Sequence, residues 1–206
     1  MTGDDHANGA TVGRFDQYLT LGPNTAQDVL NWNAVRGTSY IYTSTNNTSA
    51  ITNTQAAAFE VQGFEIAAHI STNCGNWTSQ SQLDNSFFTP QLAEFTSKWP
   101  GVPAPTTNRT HCIAWSDWAS QPKVQAVKGI RLDCNYYYWP GSWIQNRAGM
   151  FTGSGMPMRF ADVDGSLIDC YQVTTQMPDE SGITWPGFIN TLLDNAIGSN
   201  GYYGVF

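Results

Sequence analysis

The sequence is short of charge. Of its 206 residues only 12% are Asp, Glu, Lys or Arg, about half the roughly 25% of an ordinary domain. Lys and Arg number 9 against 16 acidic residues, for a formal charge of −7. A phosphate-gripping surface needs clustered Lys and Arg, so nucleic acid and anionic membranes are excluded as partners. No apolar run approaches the roughly 20 residues of a membrane span. Charges are too few for the exposed faces of a coiled coil. Cys-x-x-Cys is absent, which removes a zinc knuckle. Histidine occurs three times, at 6, 69 and 111, and not after His111. Disorder is excluded from the other side, because aromatics reach 13% and include 8 Trp.

Polarity comes instead from Thr, Ser, Asn and Gln, a composition that suits a secreted or cell-wall protein. Asp4 and Asp5 appear too early for a signal peptide. Both chain ends read as interrupted strands, so the expectation is a single catalytic-type domain over 1–206, excised from a longer secreted protein. Four cysteines, at 74, 112, 134 and 170, permit two disulfides in three connectivities. Glycosylation sequons stand at Asn46, Asn47, Asn76 and Asn108.

Along the chain, strand and helix signals alternate. Residues 37–42 and 64–70 read as strands. An Ala-rich helix over 54–62 lies between them, closed by Gly63. Pro90 and Pro122 mark helix starts over 89–99 and 121–128, followed by strands over 107–113 and 129–134. A last amphipathic helix is expected over 185–197. Residues 158–162 and 167–171, joined by Asp164-Gly165, read as a β-hairpin. Strands separated by helices predict an α/β fold with a parallel sheet or barrel. Such folds bind ligands at the C-terminal strand ends.

Four polar clusters fall there: Asp4-Asp5-His6, His69 to Asn73, Arg109-Thr110-His111, and Asp133-Cys134-Asn135. Any one of them is accounted for by a turn, a cap or an ion pair. Four in succession, holding all three histidines of a charge-poor chain, point to a metal site of imidazole and carboxylate. On a strand, Arg109 and His111 would face the same way.

The order of these motifs resembles the polysaccharide deacetylases of the NodB homology superfamily, with fungal exopolysaccharide deacetylases the nearest kind. Thr2-Gly3-Asp4-Asp5-His6 is similar to the first motif of that family. His69 with Asn73 resembles its paired-histidine second motif, Arg109 the Arg of the third and Asp133 the Asp of the fourth. The resemblance implies a distorted (β/α) barrel, here with an inserted β-hairpin. It implies a zinc-type divalent metal held by Asp5 and His69, with Asp4 as the base that activates water. Arg109 would orient Asp4, and Asp133 would support Arg109. The metal would polarise an acetamide or ester carbonyl of a polysaccharide. Three positions depart from the pattern. Asn73 stands for the second His, so the third ligand is His111 or Asn73. His6 stands for a Gly. The final His is missing, which leaves the general acid to His111 or to a residue beyond Phe206.

The cysteines fall beside these motifs. Cys74 and Cys112 each follow a metal-motif residue, and Cys134 and Cys170 each follow an Asp near a strand end. The expected bridges are Cys74–Cys112 and Cys134–Cys170. Trp115, Tyr137, Trp139 and Trp143 follow candidate strands and are expected to stack on sugar rings. Two other readings stay open: a non-catalytic carbohydrate-binding or cell-surface module on the same barrel, and a glycosidase using Asp133 and Asp169 as its carboxylate pair.

Overall fold

The computed structural model describes residues 2–5, 10–43, 51–135 and 156–173, with positions 190, 194, 197 and 198. The sequons at Asn46 and Asn47, the aromatics Tyr137, Trp139 and Trp143, and most of the helix expected over 185–197 lie outside them.

The protein is a mixed α/β structure whose strands are mainly parallel. In the first sheet β1 (Thr2–Asp4), β2 (Thr38–Ile41) and β3 (Glu65–Ala68) lie in that order, all parallel, with Thr2 beside Thr38 and Thr38 beside Glu65. In the second sheet β4 (Thr107–Asn108) pairs in parallel with β5 (Leu132–Asp133), and β5 with β7 (Leu167–Gln172). The hairpin strand β6 (Met158–Ala161) closes the order, antiparallel to β7. The hairpin is therefore no insertion, because its second strand continues the parallel sheet. A distorted (β/α) barrel was expected; among the described residues two sheets form, and no closed barrel. They touch where the Tyr40 hydroxyl meets Thr107 Oγ1 at 2.9 Å and the His111 N–H donates to the Ile70 carbonyl at 2.8 Å.

Helices cover the outer face of the first sheet: α1 (Ala10–Leu19), α3 (Asn53–Val61) and α5 (Thr89–Lys98), with the short α2 (Ala26–Leu30) and α4 (Gln80–Gln82) beside them. Thr25 and Thr52 start α2 and α3 with full capping boxes. Gly63, at φ +89°, ends α3 as its sequence predicts. Phe15, Phe59, Phe64, Phe88, Phe95 and Trp99 pack against Ile41, Ile66 and Ala68 in one buried cluster. Each such side chain contributes about 1.5–3 kcal/mol relative to exposure. Tyr40, Ala67 and Cys134 form a smaller cluster on the opposite, inward face. Strands buried on both faces are what parallel sheets require.

Two element boundaries differ from expectation. The helix holding Pro90 begins nine residues earlier than expected, at Gln80, and passes through a π-helical turn over Leu83–Phe88 before α5. Pro90 has no N–H to give to an ordinary helical turn, and the widened turn precedes it. The strand expected over 107–113 ends at Asn108, and a 3₁₀ turn over His111–Ile113 follows. The helix α6 (Ser120–Val127) then leads into β5.

Candidate functional site

The C-terminal ends of β1, β2, β3 and β4 converge on one polar cluster. Asp4 closes β1, and the bend after it carries Asp5. Gly3 leaves room in this strand for the Arg14 guanidinium. A Cβ there would lie 2.7 Å from the Arg14 guanidinium, which reaches in from α1 to bond the Asp4 carbonyl at 2.8 Å and Ser39 Oγ at 2.6 Å.

Asp4 Oδ1 lies 3.5 Å from Arg109 Nη1, and Asp4 Oδ2 lies 3.7 Å from His69 Nε2. Arg109 is itself placed by Thr2 Oγ1, 2.8 Å from its Nη2, and by the face of the Tyr40 ring. The Arg109 carbonyl oxygen stands 2.9 Å from His69 Nδ1. A carbonyl only accepts, so Nδ1 carries the hydrogen and Nε2 presents a lone pair. His111 Nδ1 approaches that Nε2 at 3.3 Å. His111 reaches this position through the 3₁₀ turn and not along a strand face, so the expected strand geometry is corrected although Arg109 and His111 meet at the same cluster.

Tyr42, one residue past β2, was not singled out by its sequence. Its hydroxyl bonds His111 Nδ1, its ring meets His69 and His111 edge-on at 4.8 and 5.1 Å, and its N–H donates to Asp5 Oδ2 at 3.2 Å. A lone aromatic after a strand carries no chemical signature in sequence. Only the parallel register of β1, β2 and β3 brings it between the two histidines.

His69 is almost fully buried, and burial holds its pKa down to about 4 against the pull of Asp4. It is neutral at pH 7, the form that ligates a metal. The shift has a stability consequence. Between pH 6.5 and about 4 the unfolded chain binds a proton that the folded chain refuses. This contribution is present above pH 6.5 and lost as pH falls toward 4, on the order of 3 kcal/mol in all. Urea denaturation at pH 7 and pH 4.5 should show the loss, and His69→Gln should flatten it. Equal pH dependence in both proteins would remove His69 as its source.

Other expected site residues fall elsewhere. Asn73 is exposed in a left-handed turn at φ +55°, where its backbone N–H donates to Ser71 Oγ at 3.1 Å. Asp133 is fully buried but turned away from Arg109. It accepts the side-chain amides of Gln121, Gln125 and Asn135 and the Asn135 N–H. Burial raises its pKa while these donors pull the other way. Asn135 Oδ1 in turn accepts the Thr110 N–H, so Asp133 braces the Arg109–His111 loop from behind. Asp169 is exposed and ion-paired with Arg131 and Arg159, and the Asp133–Gln172 register puts it on the opposite face. It forms no carboxylate pair with Asp133.

Cys74 and Cys112 are joined in a disulfide, with Cα atoms 5.3 Å apart. Cys134 and Cys170 are not bridged; both are buried thiols. Leu132 lies beside Tyr171, so Cys134 and Cys170 are three positions out of step and face opposite sides of the sheet. Trp115 stacks on Phe160 at 5.6 Å, which covers one of its faces, whereas Trp118 is 67% exposed. Asn108 is fully buried and cannot accept a glycan in the folded chain; Asn76 is exposed.

Imidazole nitrogens and carboxylate oxygens, which meet pairwise here as Asp4–His69 and His69–His111, are donors that zinc takes. The chemistry of the donor set fits a metal. The triad Asp5, His69 and His111 does not draw together within 4.8 Å; among the described residues the set that does is Cys74, His111 and Cys112. The sulfurs of that set are bonded to each other and offer no thiolate.

Parallel sheets carrying a histidine–carboxylate cluster at their C-terminal ends define a mixed α/β protein with a candidate site at the strand ends. The chain is similar to a solved structure described as "putative polysaccharide deacetylase from Mycobacterium smegmatis", with a TM-score of 0.57 and 17% identity over 100% of this chain and 74% of that one. No family model and no curated protein matches the sequence.

Proposed function

We propose that the chain is a metal-dependent hydrolase that removes acetyl groups from an N- or O-acetylated polysaccharide in a secreted or cell-wall setting. The observation that carries this reading is the meeting of Asp4, Arg109, His69 and His111 at the ends of β1, β3 and β4, in the fold of a structure described as a polysaccharide deacetylase. Asp5, His69 and His111 supply the metal donors. The metal, zinc by donor type, supplies polarisation of the acetyl carbonyl. Asp4, held by Arg109 and only 16% exposed, takes the proton from the attacking water. Arg109 aims Asp4, and Tyr42 fixes the His111 ring. Where Asn73 rather than His111 is the third ligand, His111 is the imidazole that protonates the leaving group. Trp118 offers the more open aromatic face for a sugar.

One observation favours the second reading, a non-catalytic carbohydrate-binding module: Asn73, at the position of the second metal histidine, is exposed in a left-handed turn. Acetate release from an N-acetylated polysaccharide, measured with added zinc and after chelation, separates the two. Release that chelation abolishes supports the hydrolase. Polymer binding with no release at any metal concentration overturns it.

A further inference from the structure

The loops that follow β3 and β4 are stitched together by more than their disulfide. The Trp77 N–H donates to Ser116 Oγ and its indole N–H to Asp117 Oδ2, each at 2.9 Å. The His111 N–H donates to the Ile70 carbonyl at 2.8 Å. The turn carrying Cys74 is closed on itself, with Thr72 Oγ1 bonding the Gly75 carbonyl and the Gly75 N–H bonding the Thr72 carbonyl. Breaking the sulfur–sulfur bond therefore leaves both cysteines where they are. Their sulfurs and a ring nitrogen of His111 lie within 4.8 Å of one another. The bonded sulfurs are closer than a metal needs; once reduced, their side chains turn apart, from Cα atoms 5.3 Å apart, to the roughly 3.5–4 Å between ligands that a tetrahedral zinc sets with bonds of about 2.3 Å to sulfur and about 2.0–2.1 Å to nitrogen. Both cysteines are exposed, within reach of a reductant.

We propose that reduction of Cys74–Cys112 opens a second metal site, in which Cys74, Cys112 and His111 take a thiophilic divalent ion such as zinc. A dithiol reductant breaks the sulfur–sulfur bond and becomes a disulfide itself. Cys74 and Cys112 gain two electrons and two protons. Metal binding then releases both thiol protons, because the thiolate is the ligand. Three protein ligands leave the fourth position to water. His111 belongs to both this set and the cluster with His69, so filling the thiolate site draws on a residue of the first. The inference uses different donors and does not rest on the deacetylase reading.

Cobalt(II) tests it, because thiolate–cobalt charge-transfer absorption is absent from a site of oxygen and nitrogen donors. The chain is reduced with a trialkylphosphine, which brings no competing thiolate, and titrated. One equivalent should bind with the charge-transfer band in the reduced protein. The band should be absent from the oxidised protein and from C74S/C112S. Where that variant does not fold, reduced protein alkylated at the exposed thiols replaces it. His111→Ala should keep the band but weaken cobalt binding by at least the roughly 10–100-fold that outer partners of a ligand are worth. No band in the reduced protein, an equal band in C74S/C112S, or unchanged affinity in His111→Ala would overturn the site. Acetate release plays no part in the readout, so its failure and the failure of the hydrolase reading are told apart.

Discussion

Asp4→Asn is expected to lower acetate release by roughly 10²–10⁴-fold, the usual contribution of general acid–base catalysis, while bound metal stays near the wild-type level. The Asp4 carboxylate sits between Arg109 Nη1 at 3.5 Å and His69 Nε2 at 3.7 Å, whereas Asp5 bonds the Tyr42 backbone. An amide at position 4 keeps the shape and loses the basicity. Asp5→Asn should instead reduce bound metal sharply, because a neutral amide is a poorer ligand than a carboxylate. Metal content and acetate release, measured for both variants, decide the assignment. If Asp4→Asn loses metal in step with rate, Asp4 is a ligand and the division between the two aspartates is wrong. If turnover is unchanged, Asp4 leaves the mechanism.

Asp133→Ala should be the most destabilising change among the polar site residues. Asp133 gathers three side-chain amides and one backbone N–H in a fully buried position. Removing the carboxylate strands donors that each cost about 1–3 kcal/mol when left unsatisfied in the interior. The total, about 3 kcal/mol or more, is a large share of the roughly 5–15 kcal/mol of a typical domain. Urea denaturation measures it. A loss under about 1 kcal/mol, one ordinary hydrogen bond, would mean that the amides find other partners and that Asp133 does not brace the Arg109–His111 loop.

The positions of Asp4, His69, Arg109 and His111 were legible in the sequence because polar residues at strand ends are rare in a charge-poor chain. The turn residues Gly63 and Gly165 marked real boundaries, with φ +89° and +84°. What failed was parity. Asp133 and Cys134 both stand at the end of β5, and nothing in the local sequence says which faces the helix and which the interior. The register Asp133 beside Gln172 decides it, and that register is a long-range fact. The same parity separates Cys134 from Cys170. Two structural details were invisible for a different reason. The π turn before Pro90 and the 3₁₀ turn at His111 are backbone adjustments with no residue pattern of their own. Tyr42 was missed because its chemistry comes only from its neighbours.

The strand pairings also govern how the chain must fold. Thr2 pairs with Thr38, Thr107 with Leu132 and Leu132 with Tyr171, and Arg109 reaches back across 107 positions to Thr2. Parallel pairs of such separation meet the entropy of closure before any contact rewards it, so assembly is slow beside that of a helical bundle. Throughout that interval all four cysteines are open to one another. Once the second sheet has formed, Cys134 and Cys170 are shut on opposite faces, and burial pushes the Cys134 thiol up to about 11, where little thiolate remains to exchange. The order of events therefore sets the yield. Folding before oxidation leaves Cys74 and Cys112 as the reactive pair, whereas oxidising the denatured chain feeds the other pairings and traps it.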